Sequence, residues 1–314
     1  MNKKSTRWIG AAVAAAITVT TAGLPATANA ASSVCPPVPV SQTGTSAKAS
    51  VSQQTKNKQL VMNMYQDVFN QHKLNKISSY IAKDYIQHNP LAGDGRQAFA
   101  DFFGAYIKQN PHLKADVKRI IAQGDLVLIQ NHVTTSKQDK GMAVVDIFRI
   151  KNNKIVEHWD AGQAVPEKSA NDNTMFPLPG TPVQVQPVSS QQVAANKKLV
   201  TTFYNQFFNK HDGTALQKYV AEDYIQHNPT VPTGRKPLEA FIPMLQSNPD
   251  SRNKIIRVIA EGDIVALHVH AQSSKTDRGS AVVDIFRVAN GKIVEHWDVV
   301  QPVPEKSVNT NTMF

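Results

Sequence analysis

Five residues, Asn57-Lys58-Gln59-Leu60-Val61, return with one change as Asn196-Lys197-Lys198-Leu199-Val200, 139 positions on. The string Tyr85-Ile86-Gln87-His88-Asn89-Pro90 returns at Tyr224–Pro229 with the same offset. Ala143–Arg149 (AVVDIFR) and Lys154–Asp160 (KIVEHWD) return 138 positions on, at Ala281–Arg287 and Lys292–Asp298. One residue is therefore missing from the second copy between Arg235 and Asn248. Val165–Ser169 matches Val303–Ser307, and Asn173–Phe176 (NTMF) matches Asn311–Phe314. A period this long is far above that of stacked solenoid units, so each copy is a whole domain.

The repeat divides the chain. Residues 56–176 and 195–314 are the two domains. The Pro-, Val- and Gln-rich stretch 177–194 reads as a linker, and 31–55 as a disordered leader. Residues 1–30 carry Lys3, Lys4 and Arg7, an apolar run from Ala11 to Val19 and a small-residue Ala28-Asn29-Ala30 site. That is the pattern of a secretory signal peptide cut after Ala30, which predicts a secreted or periplasmic protein with no membrane association after cleavage. Cys35 is the only cysteine, so no internal disulfide is possible. The formal charge is +10, but the basic residues are scattered singly, which argues against a nucleic-acid partner.

Within a copy, Leu60, Val61, Met64, Tyr65, Val68 and Phe69 form the apolar stripe of an amphipathic helix. A shorter helix follows around Leu74–Tyr80, then an extended run at Asp84–His88 and a third helix over Arg96–Lys108. Four strands close the copy: Ala115–Ala122, Leu126–Thr134, Gly141–Ile150 and Lys154–Val165. Helices followed by antiparallel strands predict an α+β domain with helices on one face of a sheet.

The last two strands form a hairpin around Asn152-Asn153 or Asn290-Gly291, and its register decides the chemistry. A two-residue type I′ turn pairs Val288 with Ile293 and sets Asp284 opposite Trp297. A type I turn with a glycine bulge pairs Val288 with Lys292, and Asp284 then shares a face with His296 and Asp298. The sequence leaves both open.

Asp146 lies inside an apolar strand, where a carboxylate is costly unless paired or protonated. It is either a structural residue bonded to its neighbours or a desolvated acid/base. His158 and Asp160 alternate with Trp159, which either stacks on a ligand or fills the core. His88 ends a strand at a Pro turn, and His132 and His270 occupy matching strand positions.

YIQHNP, the Gly-Arg before a Phe-rich helix, AVVDIFR, GKIVEHWD, QPVPEKS and NTMF together resemble the SnoaL-like polyketide cyclases of the nuclear transport factor 2-like superfamily. The resemblance spans nearly all of both domains. It implies two tandem cone-shaped domains with a cystatin-like fold, each a curved antiparallel sheet wrapped around N-terminal helices and enclosing an apolar pocket. It also implies Asp160 and Asp298 as acid/base and Asp146 and Asp284 as their partners. By the same resemblance His88, His132, His227 and His270 would line the pocket, and His158, Trp159, His296 and Trp297 are the further candidates for substrate contact. The family places a histidine where this chain has Asp146.

These readings lead to acid/base catalysis on a small carbonyl compound: aldol-type cyclisation, isomerisation or dehydration of a small apolar or polyketide-like ligand, with no cofactor and no metal. A non-catalytic small-molecule binding module is the alternative, and a metal-dependent site is a third. The two domains are expected to pair as an intramolecular pseudo-dimer.

Overall fold

A computed structural model of the chain describes residues 45–177 and 185–314. The expected signal peptide, Cys35 and parts of the leader and linker lie outside the described residues. Helix α1 spans Thr45–Met64, so the leader expected to be disordered is helical from Thr45 on. The polar run 45–56 contains no Pro or Gly, and a helix extends cheaply from a turn already packed.

Helix α1 passes into a π-type turn at Tyr65–Asn70. Then come α2 (Ile77–Tyr80), β1 (Ile81–Gln87), α3 (Gly95–Gln109), β2 (Lys114–Gln123), β3 (Leu126–Thr134), β4 (Met142–Lys151) and β5 (Lys154–Ala164). The second copy repeats the order. It has α4 (Ser190–Tyr204), a π-type turn at Asn205–Asn209, α5 (Thr214–Tyr219), β6 (Val220–Gln226), α6 (Arg235–Glu239) and α7 (Phe241–Ser247). Its strands are β7 (Arg252–Glu261), β8 (Ile264–Gln272), β9 (Ser280–Ala289) and β10 (Lys292–Pro302).

The sheets run β1-β5-β4-β3-β2 and β6-β10-β9-β8-β7. The α+β class holds, with one correction: the sheets are mixed. Strands β2 to β5 form the expected antiparallel meander, but β1 joins β5 in parallel, with Gln87 beside His158. The second copy does the same with Gln226 and His296.

The copies differ most where their sequences do. Helix α3 is continuous, but its counterpart breaks into α6 and α7. Pro243 lacks the N–H that would bond the Glu239 carbonyl, so it fits only in the first turn of α7 and the helix breaks ahead of it, at Ala240.

Each sheet is buried on both faces. One face packs on helices, with Tyr65, Phe69, Phe99, Ile129 and Phe148 in the first copy. The other joins a core that both copies share, including Ile147 and Trp159 from the first and Ile285 and Trp297 from the second. Residues Ala47–Phe314 pack as one unit. Two-sided burial explains why AVVDIFR is apolar without alternation. Among the described residues, no helix is long and apolar enough to cross a membrane.

Candidate active site

The hairpin settles its register in a way that combines the two alternatives. Asn152 and Asn153, and likewise Asn290 and Gly291, both have positive φ, the signature of a type I′ turn. Val288 accordingly pairs with Ile293. One extra residue then enters the outgoing strand, Val294 or its counterpart Val156, and Glu295 pairs with Arg287. This bulge exchanges the faces of everything beyond it. Asp146 ends up opposite Asp160, and Asp284 opposite Asp298. Asp146, His158 and Asp160 then share the helix-covered face, while Trp159 turns to the other.

Asp146 is surrounded by donors. The Tyr65 hydroxyl donates to its Oδ2 at 2.8 Å and the Asn131 amide at 2.6 Å. Its Oδ1 lies 2.9 Å from His158 Nε2. Tyr65 sits at the start of the π-type turn that ends α1, a backbone irregularity often found at functional sites.

The other ring nitrogen, His158 Nδ1, is 2.9 Å from Gln87 Oε1. That oxygen also accepts from the Asn89 backbone N–H, and Gln87 Nε2 donates to the Tyr85 hydroxyl. The backbone donor fixes which end of the amide is the oxygen, so Nδ1 must donate. With Nε2 facing a carboxylate, the arrangement suits an imidazolium paired with Asp146. Burial opposes that charge, but the Asp146 hydrogen bond and the charges of Asp160 and Asp146 outweigh it and raise the His158 pKa. His296 is raised for the corresponding reasons.

Asp160 is held differently. Asn89 Nδ2 donates to its Oδ2 at 2.5 Å. Its Oδ1 is buried and has no partner among the described residues. Burial is the main cause raising its pKa; His158 opposes the rise and Asp146 adds to it. Asp298, bonded by Asn228 at 2.7 Å, repeats both features. Each copy thus contains an Asp–His pair beside a second carboxyl group with one free oxygen.

The copies are not identical here. Tyr204 donates to Asp284 at 3.0 Å and His296 Nε2 lies 2.9 Å from it. The position of Asn131 is taken by Val269, since the two residues hold equivalent places in the β2–β3 and β7–β8 pairings. Asp284 therefore has one donor fewer.

The remaining candidates lie away from these carboxylates. Trp159 and Trp297 are buried on the shared face, under the guanidinium groups of Arg257 at 3.6 Å and Arg119 at 3.7 Å. Each guanidinium comes from the other copy, so the indoles build the contact between the sheets. His88 stacks on Trp159 and bonds Glu157; His227 does the same with Trp297 and Glu295. His132 and His270 lie against Phe176 and Phe314 and bond the carbonyls of Lys140 and Arg278. None of these six contributes to the carboxylate cluster. The residues that do, and that sequence reasoning missed, are Tyr65, Gln87, Asn89 and their counterparts Tyr204, Gln226 and Asn228, with Asn131 in the first copy alone. Gln87 and Asn89 stand inside the repeated YIQHNP, and Tyr65 recurs as Tyr204.

Ligand-type atoms of Asp146, His158 and Asp160 lie within 4.8 Å of one another, as do those of Asp284, His296 and Asp298. A cation there would have to displace the hydrogen bonds of the histidine, both of whose nitrogens are engaged. Two open surface clefts of about 390 Å³ each, one bounded by Glu222 and Arg235 and the other by Asp263 and Arg287, do not include Asp146, Asp160, Asp284 or Asp298 in their lining.

Each copy is a mixed five-stranded sheet backed by helices, the fold of nuclear transport factor 2-like domains, with acidic residues on the covered face. Residues 61–158 match the SnoaL-like domain family and residues 198–304 the SnoaL-like polyketide cyclase family. The chain belongs to the SnoaL-like proteins, with two domains in tandem.

Solved structures similar to it cover single copies. An NTF2-like protein of unknown function from Mesorhizobium loti is 22% identical, over 37% of this chain and 99% of that one, with a TM-score of 0.32. IdmH of Streptomyces antibioticus, a candidate polyketide cyclase, is 22% identical over 34% and 91%, with a TM-score of 0.30. A candidate polyketide cyclase from Acidithiobacillus ferrooxidans is 18% identical over 34% and 88%, with a TM-score of 0.32. Comparison with curated protein sequences gives no match.

Proposed function

We propose that each copy performs acid/base chemistry on a small carbonyl compound, with Asp160 and Asp298 moving the proton. The observation that carries this is the free, buried oxygen of each of these carboxyl groups beside an Asp–His pair. A carboxyl group whose pKa is raised by burial is a better base, in its ionised form, than one in water. For an aldol closure, Asp160 Oδ1 would take a proton from the carbon next to a carbonyl. The resulting enolate carbon would attack a second carbonyl of the same molecule, forming a C–C bond. The alkoxide would then recover the proton from Asp160, leaving no net change in protonation. Asp146 and His158 would set the charge around Asp160 rather than exchange protons with substrate. The aromatic side chains of Tyr85, Phe99 and Phe148 on the helix-covered face suit an apolar ligand, and the apolar pocket belongs to this proposal. So do secretion and a pseudo-dimer formed within one chain.

Deuterium exchange at the methyl group of acetophenone in D2O tests the chemistry without the natural substrate. The Asp160→Asn/Asp298→Asn chain is expected to exchange about 10²-fold or more slowly than the parent. Equal rates would reject the assignment, and retention of the ketone without exchange would mark a binding module.

The clustered ligand atoms support a second reading, a cation held by Asp146, His158 and Asp160. It requires that zinc raise the melting temperature of the parent and not of Asp160→Asn/Asp298→Asn.

A further inference from the structure

The closing segments that carry the repeated NTMF strings play no part in the carboxylate cluster of their own copy. They cross to the other one. Asn309 Nδ2 donates to the carbonyls of Asn89 and Ala92 at 2.7 and 2.8 Å. Asn311 Nδ2 donates to the Gln87 carbonyl at 2.8 Å and to Asp94. The Val308 backbone N–H reaches the Pro90 carbonyl at 2.7 Å, and the Thr312 carbonyl meets His88 Nδ1 at 2.5 Å.

The first copy returns the arrangement. Asn171 donates to Asn228 and Val231, Asn173 to the Gln226 carbonyl and Thr233, Ala170 N–H to Pro229, and the Thr174 carbonyl meets His227.

The segment so held, 87–92, is the one that builds the site. Its backbone carbonyls face the crossing segment, while its side chains face inward: Gln87 to His158 and Asn89 to Asp160. Beyond His88, whose N–H still bonds the His158 carbonyl of β5, the loop would otherwise keep its backbone freedom. The crossing segment removes that freedom at the residues that fix the histidine and carboxyl geometry.

We infer that each copy's closing segment is a positioning element for the other copy's site: Asn309, Asn311 and Thr312 for Asp160, and Asn171, Asn173 and Thr174 for Asp298. The two sites are then completed reciprocally within one chain, and neither domain has a fully ordered site alone. The consequence for turnover rests on the acid/base reading; the positioning itself does not.

The test uses the full chain. Asn309→Ala/Asn311→Ala removes the crossing amides on the first site, and Asn171→Ala/Asn173→Ala removes those on the second. The ring signals of His158 and His296 are followed through a pH titration by NMR, and amide hydrogen exchange is measured over 87–92 and 226–231. A loosened segment holds the Gln87 side-chain oxygen less firmly against the imidazolium, so the first variant should lower the His158 midpoint and speed exchange in 87–92 about tenfold. His296 and 226–231 should keep their parent behaviour, and the second variant should give the mirror result.

Effects confined to the copy that carries the substitution, equal effects on both, or none at all would overturn the inference. With Asp298→Asn present to silence the second site, ketone exchange by the first should fall about tenfold or more in the Asn309→Ala/Asn311→Ala variant, the scale of a misplaced catalytic group. A His158 shift with unchanged ketone exchange would count against the acid/base reading and leave the reciprocal positioning standing.

Discussion

Asp146→Ala is expected to lower the unfolding free energy by about 3 kcal/mol or more, the range found when one member of a buried ion pair is removed. Three groups lose their acceptor at once: the Tyr65 hydroxyl, the Asn131 amide and the His158 ring. All three are buried, so none recovers a full hydration shell. His158 escapes part of the cost by giving up its proton, and its titration midpoint should therefore fall. Asp284→Ala should be milder. Val269 stands where Asn131 does, so that variant leaves only Tyr204 and His296 without their partner. A hydrogen bond to a charged group contributes about 1.5–3 kcal/mol, which bounds the expected gap between the two variants. Urea titrations at pH 6 measure both. Equal losses would show that the Asn131 bond adds nothing, and a loss under 1 kcal/mol for Asp146→Ala would contradict a charged pair.

The outline of the fold can be read from the repeat and from residue spacing because both are local. The Gly124-Asp125 turn marks where the strand Leu126–Thr134 begins, and the stripe from Leu60 to Phe69 marks the helix that covers the sheet. The pairing of Asp146 with Asp160 is legible only as one of two registers. The deciding residue is Val156, an ordinary strand valine, and nothing in its chemistry announces a bulge.

Face assignment fails for Trp159 and His88 for another reason. Period-two alternation separates core from solvent, and this sheet has core on both sides. Trp159 meets Arg257, and His88 meets Thr312, each contributed by the other copy. Tyr65 reads as a core residue because its position on the helix stripe is apolar; its hydroxyl finds Asp146 only after the chain has folded back 81 residues.

Acid should distinguish the copies chiefly through His268. It is buried on the shared face, and its Nδ1 lies 3.1 Å from Arg257 Nη1. Burial first, and then the charges of Arg257, His88 and His270, press its pKa down to about 3. A folded-state pKa below the unfolded value of 6.5 means that the folded chain binds fewer protons between the two. The stability this group allows is fully present above pH ~6.5 and is lost as pH falls toward 3, at about 1.4 kcal/mol per pH unit.

Glu295, held low against its own burial by His227 and Arg287, acts in the same sense below its ordinary value. The raised Asp160 and Asp298 act in the opposite sense, because their folded forms keep protons longer. So do His158 and His296, whose contribution is complete below pH ~6.5 and is lost as pH rises through their folded values.

These opposing contributions make the parent's acid limb hard to assign, but His268→Gln isolates one of them. The first copy already uses this solution. Gln130 occupies the equivalent position, accepts from Arg119 Nη1 at 3.1 Å and donates to the Met175 carbonyl at 3.0 Å. The amide introduced by His268→Gln should do the same with Arg257 and the Met313 carbonyl, pairing a donor where His268 Nε2 has no partner among the described residues. The variant should match or exceed the parent at pH 7 and gain on it by about 1.4 kcal/mol for each unit below pH ~6. Urea midpoints that keep a constant difference from pH 7 to pH 4 would show that His268 is not held neutral.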